Sequence, residues 1–101
     1  MSAETIVCRV AICGRVQRVG FRAWTEYTAL EHGLEGWVRN RADGSVEAVF
    51  AGAPATVEAM LEACRRGPPG ARVDHIDQRE GGPEDMALRR PGELFSVLAT
   101  R

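Results

Sequence analysis

Lysine is absent from this chain: all thirteen basic residues are arginine. A Walker A loop needs its lysine, so that class of phosphate loop is excluded, and no G-x-G-x-x-G run exists for a dinucleotide. The sequence is also rich in alanine and glycine, and the arginine usage reads as a compositional bias rather than as thirteen sites. Long apolar runs are missing, so no segment reads as a bilayer-spanning helix. Met1-Ser2-Ala3-Glu4 is not a charged leader with an apolar stretch behind it, and a cytoplasmic location is expected. No excess of one charge sign exists either: the formal net charge is −1. That leaves no global attraction to nucleic acid or anionic lipid, and neither is expected as a partner. Cysteine is scarce and odd in number, at three, which excludes a closed disulfide framework. Cys8 and Cys13 lie five positions apart on a β-like run, so they point to opposite faces and cannot pair. Cys8 and Cys64 are expected as buried or half-buried free thiols. His32 and His75 are isolated along the chain, and no Cys/His or carboxylate cluster has metal-ligand spacing. No metal site and no cofactor is therefore expected. His32 is expected to pack, half-buried, at the end of a helix.

What is present suits one domain spanning residues 1–101: the chain is long enough for a single core, and its apolar fraction is 45%, too high for disorder. Thr5 to Cys13 alternates as a strand, with Ile6, Cys8, Val10 and Ile12 on one face and a mixed set on the other, as in a sheet covered on one side. A helix is expected from Phe21 to His32, stopped by Gly33. A strand follows from Leu34 to Arg41, then a turn at Ala42-Asp43-Gly44-Ser45, whose Asp-Gly is a strong hairpin signal. A third strand carries Val46, Ala48 and Phe50 alternating against Glu47 and Val49. Pro54 opens a second helix with a Val57, Met60, Leu61, Cys64 stripe, a poor N-cap, and a firm stop at Gly67-Pro68-Pro69-Gly70. Arg72 to Gln78 reads as a strand, residues 80–93 as a loop, and Phe95 to Ala99 as a last strand. The order is βαββαβ plus a C-terminal strand. This predicts an α+β, ferredoxin-like sandwich with two helices on one face of an antiparallel sheet. That fold hosts enzymes, RNA binders and regulatory modules, so it does not by itself assign a function.

The chemistry-bearing stretch is Gly14-Arg15-Val16-Gln17-Arg18-Val19-Gly20-Phe21-Arg22, which leaves a strand and opens a helix. Unpaired N–H groups at a helix start, together with the helix dipole, make a natural anion cradle. Gly20 permits a positive φ or a close approach to a ligand. Arg22 adds a planar, forked cation suited to phosphate. On these nine residues alone, an ordinary βα turn with one exposed arginine remains open. Asn40 stands just before the hairpin turn, where asparagine is also simply a good turn residue.

The blocks Gly14-x-Val16-Gln17-x-Val19-Gly20-Phe21-Arg22 and Gly36-Trp37-Val38-Arg39-Asn40-x-x-Asp43-Gly44-x-Val46-Glu47 together resemble the acylphosphatase family. The resemblance runs from about Ile6 to the C-terminus. It implies a ferredoxin-like fold and hydrolysis of the carboxyl–phosphate bond of acyl phosphates. It also implies two catalytic residues: Arg22 would hold the phosphate and Asn40 would position the attacking water. The cradle residues would be Val16, Gln17, Arg18, Val19, Gly20, Phe21 and Arg22. The expected partners are a small acyl phosphate and inorganic phosphate or a similar anion in the loop, with the chain acting as a monomer. The chemistry is coherent, because a carboxylate leaves readily and the enzyme's task is positioning and charge stabilisation. Asn40 can both donate and accept without titrating. No Ser–His or Cys–His pair near the loop suggests a covalent route. One position departs from the family pattern: Arg18 stands where many members have glycine. It is expected to face solvent above a preserved cradle, adding charge at the mouth. Trp37, Val38 and Asp43-Gly44 are assigned to core and turn, and Arg39 and Arg41 to the face away from Asn40. The competing class is a non-catalytic ferredoxin-like module that binds a phosphate-bearing ligand or regulates a partner. An RNA binder is disfavoured by the near-neutral charge and the lack of an aromatic RNP-type strand.

Overall fold

The computed structural model describes residues 4–101. Five strands, β1 (Ile6–Arg15), β2 (Glu35–Asn40), β3 (Val46–Gly52), β4 (Arg72–Glu80) and β5 (Phe95–Val97), form one sheet in the order β4-β1-β3-β2-β5. Helices α1 (Phe21–Glu31) and α2 (Pro54–Arg66) carry the apolar stripes that the sequence shows. Between them and the sheet lies a core of Cys8, Val10, Ile12, Val38, Val46, Ala48 and Phe50 from the strands, and Phe21, Ala29, Val57, Met60, Leu61 and Cys64 from the helices. The alternation along β1 follows from its two-residue period: Cys8, Val10 and Ile12 are buried while their neighbours are only half-buried. Cys8, Cys13 and Cys64 are free thiols. Burial pushes the Cys64 thiol up to about 12, which keeps it unreactive near neutral pH.

The expected antiparallel sheet is mixed. β4-β1-β3-β2 are antiparallel throughout, but β5 pairs with β2 in parallel. The connectivity explains this. β4 is one edge of the sheet and β5 the other, and β5 runs antiparallel to β4. It therefore starts at the end of the sheet where β4 finishes. A segment crossing at that end delivers β5 alongside β2 in the same direction.

α1 and α2 lie on one face of the sheet, as expected; against the other face lies that crossing segment, residues 81–94. It contains a one-turn helix, α3 (Pro83–Met86), inside the stretch read as a loop; four residues are too few for a periodic signal. α3 lies against the sheet face opposite α1 and α2. Trp37, fully buried, donates from Nε1 to the Asp85 carbonyl at 2.6 Å. Arg9 donates to Glu47 and, at 2.6 Å, to Asp85; Arg39 donates to Glu47 at 2.8 Å. The Arg39 guanidinium stacks over the Trp37 ring at 4.7 Å. Glu47 is thus a buried carboxylate held by two arginines. Desolvation raises its pKa, but the bonds from Arg9 and Arg39 win and leave it below the usual carboxylate range. Arg39 faces away from the helices, as its alternation with Val38 implies.

The end of β1 positions the chemistry. The β1·β4 register slips between Cys13 and Gly14, a bulge that bends the strand. Gly14 has φ 135°, and a Cβ there would stand 2.2 Å from the Arg72 carbonyl oxygen. Only glycine fits, and the bulge aims the chain into the loop ahead of α1.

Candidate active site

The loop from Val16 to Gly20 is pinned from below and open above. Val16 is fully buried, and Val19 packs against the core from its edge. The Gln17 side chain reaches the β2–β3 turn, donating from Nε2 to the Arg41 carbonyl at 2.8 Å and the Ser45 carbonyl at 2.9 Å. Asp43 stiffens that turn, accepting from the Ser45 N–H at 2.9 Å and its hydroxyl at 2.7 Å. The cradle and the hairpin end are therefore tied together by one amide side chain.

Arg18 and Gly20 both lie in the left-handed region, at φ 65° and φ 78°, while Val19 between them does not. Such alternation turns successive N–H groups to one side, the geometry of an anion-binding nest. Among the described residues, no backbone carbonyl or side chain accepts a hydrogen bond from the N–H groups of residues 16–20. Gly20 is the N-cap of α1 and supplies no side-chain cap, so the free donors of the first turn face the same space.

A cleft of about 460 Å³ opens there, lined by Val16, Arg18, Gly20, Phe21, Arg22, Ala23, Glu26, Asn40 and Val97. Arg22, in the first turn of α1, and Asn40, at the end of β2, thus line one space although they belong to different elements. Among the described residues no carboxylate lies within ion-pair distance of Arg22, and the Asn40 side chain makes no hydrogen bond to protein. Two guanidinium groups face one carboxylate in the cleft, so its balance favours an anion. Arg18 is exposed at the mouth.

Of the sequence-expected residues, Val16, Arg18, Gly20, Phe21, Arg22 and Asn40 line the cleft. Gln17 and Val19 do not; they hold the loop in place. Glu26 and Val97 were missed. Glu26 lies one turn beyond Arg22, a helical spacing that would have found it. Val97 arrives through the parallel pairing of β5, which no local pattern announces. His32 is half-buried at the end of α1, its Nδ1 2.8 Å from the Thr28 carbonyl, far along the helix from the cleft. A second hollow, on the opposite sheet face, is lined by Arg9, Arg39, Arg41, Glu47, Arg79 and Arg101. It lacks a helix N-terminus, and two of its arginines are already paired with Glu47.

A family model described as Acylphosphatase matches residues 8–87. The Bradyrhizobium diazoefficiens acylphosphatase is 58% identical over 94 residues, which cover 93% of this chain and 95% of that protein. Among solved structures, an acylphosphatase from Coxiella burnetii superposes with a TM-score of 0.80 at 30% identity, covering 93% of each chain. The Bacillus subtilis acylphosphatase gives a TM-score of 0.79 at 33% identity, covering 92% of this chain and 98% of that one.

Proposed function

The chain belongs to the acylphosphatase family, and from that premise we propose that Arg22 and the Val16–Phe21 loop hold the phosphoryl group while Asn40 positions the attacking water. The reaction is hydrolysis of the carboxyl–phosphate bond of an acyl phosphate to a carboxylate and inorganic phosphate. The loop N–H groups and the Arg22 guanidinium donate to the non-bridging phosphoryl oxygens, where charge develops. Asn40 accepts a hydrogen bond from the water through its carbonyl oxygen and directs it along the line of the bond to be broken. The water oxygen bonds to phosphorus, the phosphorus–acyl oxygen bond breaks with its electron pair passing to the carboxylate, and the water's proton is released to solvent. The carboxylate leaves without needing a strong acid, so an uncharged amide and a permanent cation suffice.

The observation that carries this reading is the single cleft shared by Arg22 and Asn40, with the loop tied to the hairpin by Gln17. The reading treats residues 1–101 as one domain that acts as a monomer in the cytoplasm. The exposed large apolar side chains that accompany it, Tyr27, Leu30, Leu88 and Leu94, come from α1 and from the crossing segment. The test is phosphate release from a simple acyl phosphate, before and after exhaustive chelation. Turnover unchanged by chelator is expected. Loss restored only by a divalent metal would overturn the metal-free mechanism.

A further inference from the structure

Cys13 and His75 are cross-strand partners on β1 and β4, and Asp77 lies two residues along β4 on the same face. Their sulfur, ring nitrogen and carboxylate oxygen all lie within 4.8 Å of one another. The His75 Nε2 is 3.6 Å from Asp77 Oδ2. We propose that Cys13, His75 and Asp77 form a surface site for a zinc-class divalent cation, with three protein ligands and a fourth position open to solvent. Thiolate, imidazole and carboxylate are the donor set such a cation prefers. A strand pair built by sequence-distant residues is also why no spacing along the chain reveals it. The site shares no residue with the cleft of Arg22 and Asn40 and stands apart from catalysis.

The donors are slightly farther apart than a bound ion needs, and the side chains that must move can. His75 and Asp77 are 61% and 74% exposed, so small rotations about their own torsions close the set. Cys13 is half-buried and fixed by the strand. Burial first, then the carboxylates of Asp77, Asp43 and Asp74, hold the Cys13 thiol above its ordinary value, and Arg41 opposes them more weakly. On binding, the Cys13 S–H bond breaks, sulfur bonds the metal, and the proton passes to solvent. The bound ion ties β1 to the edge strand β4 beside the bulge that launches the cradle loop.

The experiment uses the full chain, stripped of metal and reduced. Cobalt(II) serves as the visible probe and zinc(II) as competitor. One equivalent of cobalt is expected to give a near-ultraviolet thiolate charge-transfer band that zinc abolishes. The band should vanish in Cys13→Ser. In His75→Ala and Asp77→Asn the affinity should drop by at least the ~10-fold that losing even an outer-shell partner costs. Zinc should raise the melting temperature of wild type and not of Cys13→Ser. Melting the metal-free variants separates loss of a ligand from loss of fold, and their acyl phosphate turnover should match wild type. A band that persists in Cys13→Ser, or an affinity untouched by both other substitutions, overturns the proposal, as does the absence of any band.

Discussion

Arg18 carries an arginine side chain on a left-handed backbone, at φ 65°, the one non-glycine residue with positive φ among the described residues. A Cβ in that region costs on the order of 1 kcal/mol. Glycine would remove the cost but bring its own loss of chain entropy, on the order of 0.5–1 kcal/mol. The two nearly cancel, so Arg18→Gly is expected to leave the melting temperature almost unchanged. The charge is what the substitution removes. Arg18 sits exposed at the mouth of the cleft, where its charge is expected to raise the local concentration of anions without touching the reacting water. Steady-state kinetics of Arg18→Gly should therefore show a higher KM, a kcat close to wild type, and a weaker dependence on ionic strength. An unchanged KM with a large loss of kcat would place Arg18 in the catalytic step instead. The sequence marked this position through its departure from a glycine pattern; the sign of φ had to come from the fold.

Between loop and hairpin the only side-chain tie described is Gln17, which spans two elements with two bonds. Gln17→Ala removes both and is expected to destabilise the chain by about 1–3 kcal/mol, read from the urea midpoint. Its larger effect should fall on kcat, because on the proposed mechanism a phosphate held by the loop would move relative to a water held by Asn40. Misplacement on the ångström scale costs on the order of 10²-fold. Phosphate binding itself should survive, and a variant that lost phosphate binding but kept kcat would contradict the tether. At this scale the sequence was legible where periodicity or punctuation is strong. α1 and α2 show helical stripes, Gly33 and Gly67 stop them, and Asp43-Gly44 turns the hairpin, each through forces acting within a few residues. Arg22 and Asn40 were legible as candidate site residues because both blocks of a family pattern carry them, and the fold brings the two to one cleft. The parallel pairing of β5, the one-turn α3, and the meeting of Val97 with the site were not. These depend on where a long segment crosses the sheet, and neither a two-residue nor a 3.6-residue period encodes that.

For the whole molecule, the second sheet face couples distant segments through charge. Arg9, Arg39, Glu47 and Asp85 come from β1, β2, β3 and α3 and close the crossing segment onto the sheet. The Gly82 N–H first, working against desolvation, and then Arg9 hold the Asp85 carboxyl below its ordinary value; Glu47 is held down by Arg9 and Arg39 against its desolvation. Folded-state values below the unfolded ones mean stability that is present above the ordinary carboxylate range of about 4 and lost as pH falls through the depressed values. Wild-type melting temperature should therefore fall steeply below about pH 4. Glu47→Gln should melt lower at neutral pH, by about 3 kcal/mol of stability, with a shallower acid limb. An identical acid limb in both proteins would remove Glu47 from the account. Global stability also reports on the site, because a ligand that binds only the folded chain raises apparent stability as RT ln(1 + [L]/Kd). Arg22 should touch the phosphoryl group in substrate and product alike, and Asn40 only the water. Both Arg22→Ala and Asn40→Ala should lose turnover by on the order of 10²–10³-fold or more. The measurement that separates them is melting with and without inorganic phosphate. Phosphate should raise the melting temperature of wild type and Asn40→Ala and leave Arg22→Ala unmoved; an equal rise in all three would show that Arg22 is not the phosphate ligand.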